Sequence, residues 1–174
     1  LRALRGPGIG MVFQEPMTSL NPAMRIGRQL TEALLQHENT DAAEAKMRAL
    51  ALLARVRIEN PERCFSAFPH EFSGGMRQRI MLASVMLLKP RLLIADEPTT
   101  ALDTLAQREV LDLMLELGAE SRTGILLITH NLALVARYAD RLLVLEKGRA
   151  VEAGEARAVL AGPQHAYTQR LVAA

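Results

Sequence analysis

Residues 92–95 constrain the fold more than any other segment, because they form a continuous apolar run between Arg91 and two adjacent carboxylates, Asp96 and Glu97. Successive apolar positions are typical of a parallel strand that is covered on both faces, whereas a strand with one wet face alternates apolar and polar residues. The run therefore predicts an α/β domain in which residues 92–95 form a central strand.

The two carboxylates follow this strand at the end where open α/β sheets bind ligands. On an extended backbone, adjacent side chains point to opposite sides, so Asp96 and Glu97 are expected to do different work. One can hold Mg²⁺, mostly through its water shell, and the other can act as a base on an attacking water. A simple acidic cap on the strand would explain the pair equally well when it is considered alone.

A second motif, Ser73-Gly74-Gly75, precedes a helix predicted over residues 76–88. Two glycines let the backbone approach an anion closely, and a helix N-terminus presents unpaired N–H groups and the positive end of its dipole. Ser73 either caps the helix or donates its hydroxyl to a phosphate oxygen. Such turns are common, but one that lies shortly before a strand with paired carboxylates indicates a nucleotide site.

Two further polar residues follow apolar strands: Gln14 after residues 9–13 and His130 after residues 125–129. Each has an ordinary interpretation, as a polar residue after a strand or as a hydrogen-bonded histidine at a strand end. A neutral imidazole has one donor and one acceptor nitrogen, so it can bridge a phosphate and a carboxylate. We expect His130, at the end of a second buried strand, to reach the region of Glu97.

The order of these motifs resembles that of the ATP-binding cassette (ABC) ATPases. Residues 72–76 resemble the signature loop, with Met76 where Gln is usual, residues 92–97 resemble the Walker B strand, and residues 101–103 resemble the D-loop. The resemblance implies an α/β fold of the P-loop NTPase type, a RecA-like parallel sheet core with an inserted helical subdomain, and ATP and Mg²⁺ as cofactors. It assigns Glu97, His130 and Gln14 to catalysis, Ser73, Gly74 and Gly75 to ATP contact across a dimer, Asp103 to the dimer interface, and Asp96 and Gln14 to Mg²⁺, mostly through water.

One family motif is absent from the printed sequence. A phosphate-cradling loop has the form G-x-x-x-x-G-K-[ST], and the chain contains no Gly-Lys dipeptide. The expectation is therefore a domain whose N-terminal part, including the Walker A loop, is missing here, and which hydrolyses ATP only when the full domain is present. The alternative is a non-catalytic or degenerate domain that acts as a regulatory or structural partner, although the presence of Glu97 and His130 argues against it.

The resemblance also divides the chain into four parts. They are the Q-loop strand and loop at about 1–20, the helical subdomain with the signature helix at about 21–88, the core with Walker B, the D-loop and the switch histidine at about 89–153, and the start of a C-terminal extension at about 154–174. Helical spacing predicts two helices before the signature, the second opening at a capping box over residues 41–44. Beyond His130, a helix over 132–138 and a hairpin of 141–146 with 149–152 are predicted.

Longer segments resemble the oligopeptide, dipeptide and nickel importer branch of the family. They are residues 13–22, 69–72, 95–103 and 162–169, the last with Ala166 in place of Pro. The partners implied are a second ABC ATPase domain (homodimer, heterodimer or tandem half), transmembrane permease subunits and, indirectly, an extracytoplasmic substrate-binding protein. Asn131 stands where many members of the branch have Asp, which hints at a tandem protein.

Composition agrees with a single domain outside the membrane. The 174 residues are 49% hydrophobic, and the net charge of +2 gives no indication of nucleic-acid binding. The longest apolar stretch, residues 80–88, is well short of the roughly 20 residues that span a bilayer. The single Cys64 cannot form an internal disulfide, which favours the cytoplasm. We expect a peripheral protein at the cytoplasmic face of the inner membrane.

Overall fold

The computed structural model describes residues 4, 6–13, 20–99 and 102–173. The chain divides into two compact units, Leu1–Ile128 and Thr129–Ala174. The finer boundaries expected near residues 20, 88 and 153 stay predictions.

The first unit contains a three-stranded parallel sheet. Its strands are β1 (Ile9–Val12), β2 (Leu92–Asp96) and β3 (Gly124–Ile128), in the order β1-β2-β3. In the register, Leu93 pairs with Gly10 on one side and with Ile125 on the other. This arrangement confirms that the apolar run 92–95 forms a central parallel strand.

The two faces of the sheet differ in burial. Leu93 and Ala95 of β2 are 0% exposed, whereas Leu126 and Ile128 of β3 are 49% and 45% exposed. The expectation that β3 is a second buried strand is therefore wrong for the described part of the chain. Its apolar residues alternate between a face packed on a helix and a face that the described residues leave open, so an uninterrupted apolar run did not guarantee cover on both faces.

Among its described residues the first unit has five α-helices: α1 (Ile26–His37), α2 (Ala42–Arg55), α3 (Pro61–Ser66), α4 (Gly74–Met86) and α5 (Thr104–Ser121). The two helices predicted before the signature are α1 and α2, and the Asp41 side chain accepts from the Glu44 backbone N–H at 2.8 Å, as its role in the expected cap requires. Asn60-Pro61 opens α3, with Asn60 accepting from Arg63 N–H at 3.0 Å. The signature helix α4 begins and ends two residues earlier than predicted.

The second unit contains the predicted helix and hairpin and two more helices. Its elements are α6 (Leu132–Tyr138), β4 (Arg141–Glu146), β5 (Arg149–Glu155), α7 (Ala156–Ala161) and α8 (Ala166–Ala173). Lys147 and Gly148 have φ of 49° and 77°, the left-handed pair that a two-residue hairpin turn requires. The Glu152 carboxylate accepts from the backbone N–H groups of Gln164 at 2.8 Å and His165 at 3.1 Å. These bonds, led by that from Gln164, lower the pKa of Glu152 and attach the start of α8 to the hairpin.

The helical part of the first unit has a close contact between α1 and α3. A Cβ added at Gly27 would lie 2.3 Å from Cδ1 and Cε1 of Phe65 and 2.6 Å from its Cγ, so the whole ring, and not just its tip, would have to move. Leu30, Leu34 and Leu53 lie 1%, 0% and 0% exposed in the same region. Cys64 belongs to this core, and burial raises the pKa of its thiol to about 11.

The contact gives a first prediction. Gly27→Ala is expected to lower the free energy of unfolding by about 1–3 kcal/mol, the usual cost of overpacking, even though alanine forms helices better than glycine. Urea unfolding followed by circular dichroism measures the change. In a Phe65→Leu background the added methyl group should cost much less, and an equal cost in both backgrounds would contradict the packing argument.

Candidate functional site

The carboxyl ends of the three parallel strands define the candidate site. Asp96 is the last residue of β2 and pairs in register with Ile128 of β3. Asp96 and Glu97 are both half-buried, and the next two residues, Pro98 and Thr99, are buried. The paired carboxylates are therefore partly accessible at the carboxyl end of the strand, where open α/β sheets bind ligands.

Glu97 has a backbone conformation that the sequence did not reveal. Its φ is 44°, in the left-handed region, while its N–H donates to the Ile128 carbonyl at 2.9 Å. The chain thus leaves the strand at Glu97 but keeps one more bond to β3. The expected separation of the two carboxylates assumed an extended backbone at both residues. That assumption is wrong for Glu97, whose direction is not determined by the alternation of the pleat.

The donor set at this strand end fits a magnesium ion. Mg²⁺ prefers oxygen ligands and usually keeps several waters, taking one or two carboxylates and the phosphates of its substrate. Asp96 offers such a carboxylate at the rim of the sheet. No group of three or more His, Cys, Asp or Glu side chains that could hold a metal ion occurs among the described residues.

Ser73 and the two glycines form the start of α4. Ser73 is the N-cap, and its hydroxyl accepts from Met76 N–H at 3.4 Å, a long bond. A Cβ added at Gly74 would meet nothing within 4 Å, and one at Gly75 would approach only Ala106 Cβ, at 3.9 Å. Neither Gly74 nor Gly75 has a positive φ. The described part of the chain therefore gives no steric reason for glycine at these positions.

Asp103 has a structural role within its own chain, in addition to the role predicted for it at a dimer interface. Its Oδ1 accepts from the backbone N–H groups of Leu105 at 3.0 Å and Ala106 at 2.9 Å, so Asp103 is the N-cap of α5. The residue is exposed. One carboxylate oxygen caps the helix, and the proposed contact across a dimer stays a prediction.

Two predicted site residues, Gln14 and His130, are not placed relative to this group. Gln14 lies outside the described residues. His130 is exposed and belongs to the second unit, two residues beyond the end of β3, so its approach to Glu97 stays a prediction. Its neighbour Asn131 caps α6 by accepting from Ala133 N–H at 3.0 Å. Aspartate would cap equally well, so the cap does not explain why asparagine stands here, and the tandem protein stays a prediction.

Two glutamines at the site were missed by sequence reasoning. Gln78 of α4 is 1% exposed, and its amide donates to the carbonyl of Pro98, directly after Glu97. Gln107 of α5 donates to the carbonyls of Thr99 at 2.9 Å and Leu102 at 3.2 Å. The structure thus links Ser73 to the carboxylates indirectly, through α4, Gln78 and Pro98. The sequence signal for Gln78 was a polar residue just before the apolar part of a helix. Such a residue is easily assigned to the protein surface.

Comparison with known proteins identifies the family of the chain. Residues 2–100 match the family model described as "ABC transporter". The chain is 51% identical over its whole length to "Peptidoglycan transport ATP-binding protein YejF" of Agrobacterium fabrum and 49% identical over 99% of its length to "Oligopeptide transport ATP-binding protein OppD" of Bacillus subtilis. It is 45% identical over its whole length to "Glutathione import ATP-binding protein GsiA" of Escherichia coli. The chain spans 32%, 48% and 28% of these three relatives.

Solved structures share the fold. cbiO1 of Clostridium perfringens, part of the ABC transporter complex cbiONQ, has a TM-score of 0.79 at 29% identity, over 92% of this chain and 62% of that chain. The ATP-binding cassette MJ0796, in a dimeric post-hydrolysis state with ADP and Pi, has a TM-score of 0.76 at 27% identity, over 90% and 66%. The fold is therefore that of a P-loop NTPase. No described helix is both long and apolar enough to cross a bilayer.

The open space around Gly74 gives a second prediction. Gly74→Ala should leave the free energy of unfolding unchanged or raise it by up to about 0.5–1 kcal/mol, because the new methyl group meets nothing in the chain. In the complete protein the same methyl group should weaken ATP-dependent association severalfold, measured by light scattering. Gly162→Ala, whose Cβ would also lie in open space, 4.0 Å from the Ala158 carbonyl oxygen, is the matched control. Equal association of both variants with wild type would contradict an external contact at Gly74.

Proposed function

Because the chain belongs to the ABC transporter family, we propose that it forms part of a subunit that binds and hydrolyses ATP to power a membrane importer. The observation that carries the proposal is the end of β2, where Asp96 closes the strand and Glu97 follows on a left-handed backbone bonded to β3. In a half-buried carboxylate pair at this position, one carboxylate can bind a metal ion and the other can bind a water molecule.

The chemistry expected at this strand end is phosphoryl transfer to water. A bound Mg²⁺ would neutralise charge on the β- and γ-phosphates. Asp96 would hold the metal's water shell, while Glu97 orients the attacking water and accepts its proton. Gln14 and His130 are proposed to contact the metal and the γ-phosphate. Since little covalent chemistry is required of the protein, most of the rate enhancement would come from positioning and from charge stabilisation.

The signature segment supports a head-to-tail dimer. Gly74 and Gly75 leave open space at the start of α4, where the first N–H groups of the helix and the Ser73 hydroxyl can meet phosphate oxygens. We propose that the phosphates belong to ATP held by a partner domain. Each composite site then combines the carboxylates of one domain with the Ser73-Gly74-Gly75 segment of the other, and ATP closes the pair.

The cargo proposed is a peptide or a peptide-like compound. The named relatives concern oligopeptide, peptidoglycan and glutathione transport, which favours peptides over nickel within the predicted branch. We propose that permease subunits bind the helical part of the first unit and that the domain lies peripherally at the cytoplasmic face of the inner membrane. A separate substrate-binding protein would deliver the cargo to those permease subunits.

Replacement of the proposed base gives a third prediction. In the complete protein, Glu97→Gln keeps the size of the side chain and removes its basicity, so ATP should still bind while turnover falls by roughly 10²–10⁴-fold. Phosphate release and equilibrium nucleotide binding measure the two properties, and Asp96→Asn should instead weaken the dependence of turnover on Mg²⁺. Turnover near that of an active wild type in the Glu97 variant would move the base to another residue, whereas a wild-type protein without turnover would favour the alternative of a non-catalytic domain.

A fourth prediction tests the contact across the dimer. Ser73→Arg places a bulky cation where the partner's ATP is proposed to bind, so dimerisation and hydrolysis should be lost while ATP affinity of the monomeric complete domain stays within about twofold. Sedimentation and fluorescent-nucleotide titration provide the readouts. A loss of ATP affinity in the monomer would mean that Ser73 acts on its own domain's nucleotide.

Mixing variants sharpens this test. A domain with Ser73→Arg and a complete domain that lacks its phosphate-loop lysine each form two damaged sites when paired with themselves. In the mixed dimer one site carries both lesions and the other carries none. Some hydrolysis should therefore return on mixing, and its absence despite demonstrated mixed dimers would contradict independent composite sites.

A further inference from the structure

Gln78 is a buried polar residue in α4, and its burial needs a structural explanation. It is 1% exposed, and the buried residues that follow it in the helix are apolar: Ile80, Met81, Leu82, Ala83 and Met86. A buried amide costs free energy unless it is hydrogen-bonded. The bond that Gln78 donates goes to the Pro98 carbonyl, twenty residues along the chain, so its partner belongs to the segment that follows the carboxylate pair.

Side chains of two helices donate hydrogen bonds to that segment. Gln78 of α4 bonds the Pro98 carbonyl, and Gln107 of α5 bonds the carbonyls of Thr99 and Leu102. The Leu102 N–H also donates to the Thr99 carbonyl, at 3.1 Å. The three anchored carbonyls lie within five residues after Glu97, so the path of the chain away from Glu97 depends on where the two helices lie.

The two helices are also joined to each other. Arg79 of α4, 18% exposed, forms an ion pair with Glu109 of α5, 36% exposed. Gln78 lies five residues after Ser73 on α4, a rise of about 7.5 Å along the helix. A displacement of the start of α4 is therefore passed within one short, rigid helix to the amide that holds Pro98.

We propose that Gln78 is a positioning residue that couples the start of α4 to the placement of Glu97. The inference rests on the proposed function, in which Ser73 contacts the nucleotide of the partner domain while Glu97 acts on the nucleotide of its own. Under that arrangement the path Ser73–Gln78–Pro98–Glu97 runs between the two composite sites of the dimer. Occupation of one site is then felt at the base of the other, and Gln78 contributes to cooperative hydrolysis.

The chain offers a matched control for the decisive variant. Gln29 of α1 also donates its amide to backbone carbonyls, those of Met24 at 2.8 Å and Asn21 at 3.0 Å, but these bonds go to the residues before α1 and not to the segment after Glu97. Gln78→Met and Gln29→Met both replace a bonded amide with an apolar chain of similar length. Both variants should lose thermal stability, whereas only the first should disturb Glu97.

The experiment measures steady-state ATP hydrolysis by the complete protein as a function of ATP concentration, together with amide hydrogen exchange. Gln78→Met should lower kcat by about 10- to 100-fold, the scale on which small misplacements of reacting groups act, with ATP affinity of the monomer within twofold and a Hill coefficient that falls to 1. Exchange at the Glu97 amide, bonded to Ile128 in the structure, should become faster. Gln29→Met should keep kcat, cooperativity and Glu97 exchange near those of wild type.

The outcomes separate this inference from the proposed function. A wild-type protein with no hydrolysis would overturn both, whereas normal wild-type hydrolysis with equal effects of Gln78→Met and Gln29→Met would overturn the positioning role alone. Should Gln78→Met fail to fold, Gln107→Met removes the bonds to Thr99 and Leu102 and is expected to change kcat, cooperativity and Glu97 exchange in the same direction. Unchanged values of all three in that variant would also overturn the inference.

Discussion

The parallel pairing of β2 with β1 and β3 is the constraint on which the rest of this structure depends. With a neighbour on each side, β2 satisfies its backbone groups on both edges, and Leu93 and Ala95 are fully buried. Parallel strands bring their carboxyl ends to the same edge of a sheet. Backbone hydrogen bonding therefore places Asp96 and Glu97 at this edge.

The segment after Glu97 shows how helices outside the sheet act on that edge. Pro98 and Thr99 are both buried, so their carbonyls need hydrogen-bond donors from elsewhere in the chain. Side-chain amides from α4 and α5 supply them. The helix that begins at the Ser73-Gly74-Gly75 segment thereby contributes to the geometry of the carboxylates in its own domain. It also carries the segment proposed to contact the partner's ATP, so this one short helix acts at both composite sites of the proposed dimer.

Sequence reasoning recovered the parts of the fold that depend on local pattern. The apolar run of β2, the Asp41 cap, the helix over residues 132–138 and the turn at Lys147-Gly148 each follow from period, capping or turn chemistry, and each is present. It failed where the outcome depends on neighbours distant in sequence. Whether β3 is covered on both faces depends on other elements, the left-handed φ of Glu97 depends on its bond to Ile128, and the burial of Gln78 depends on Pro98. The placements of Gln14 and His130 relative to the carboxylates stay predictions for the same reason.

The left-handed backbone at Glu97 has a consequence for any effort to engineer this protein. A side chain other than glycine or asparagine in that conformation stores strain on the order of 1–3 kcal/mol, and here the strained residue is the proposed base. Replacing a strained functional residue can therefore raise the stability of the protein while lowering its turnover. Screens that reward heat resistance alone would therefore enrich replacements at position 97, and directed evolution of this domain has to select for both properties at once.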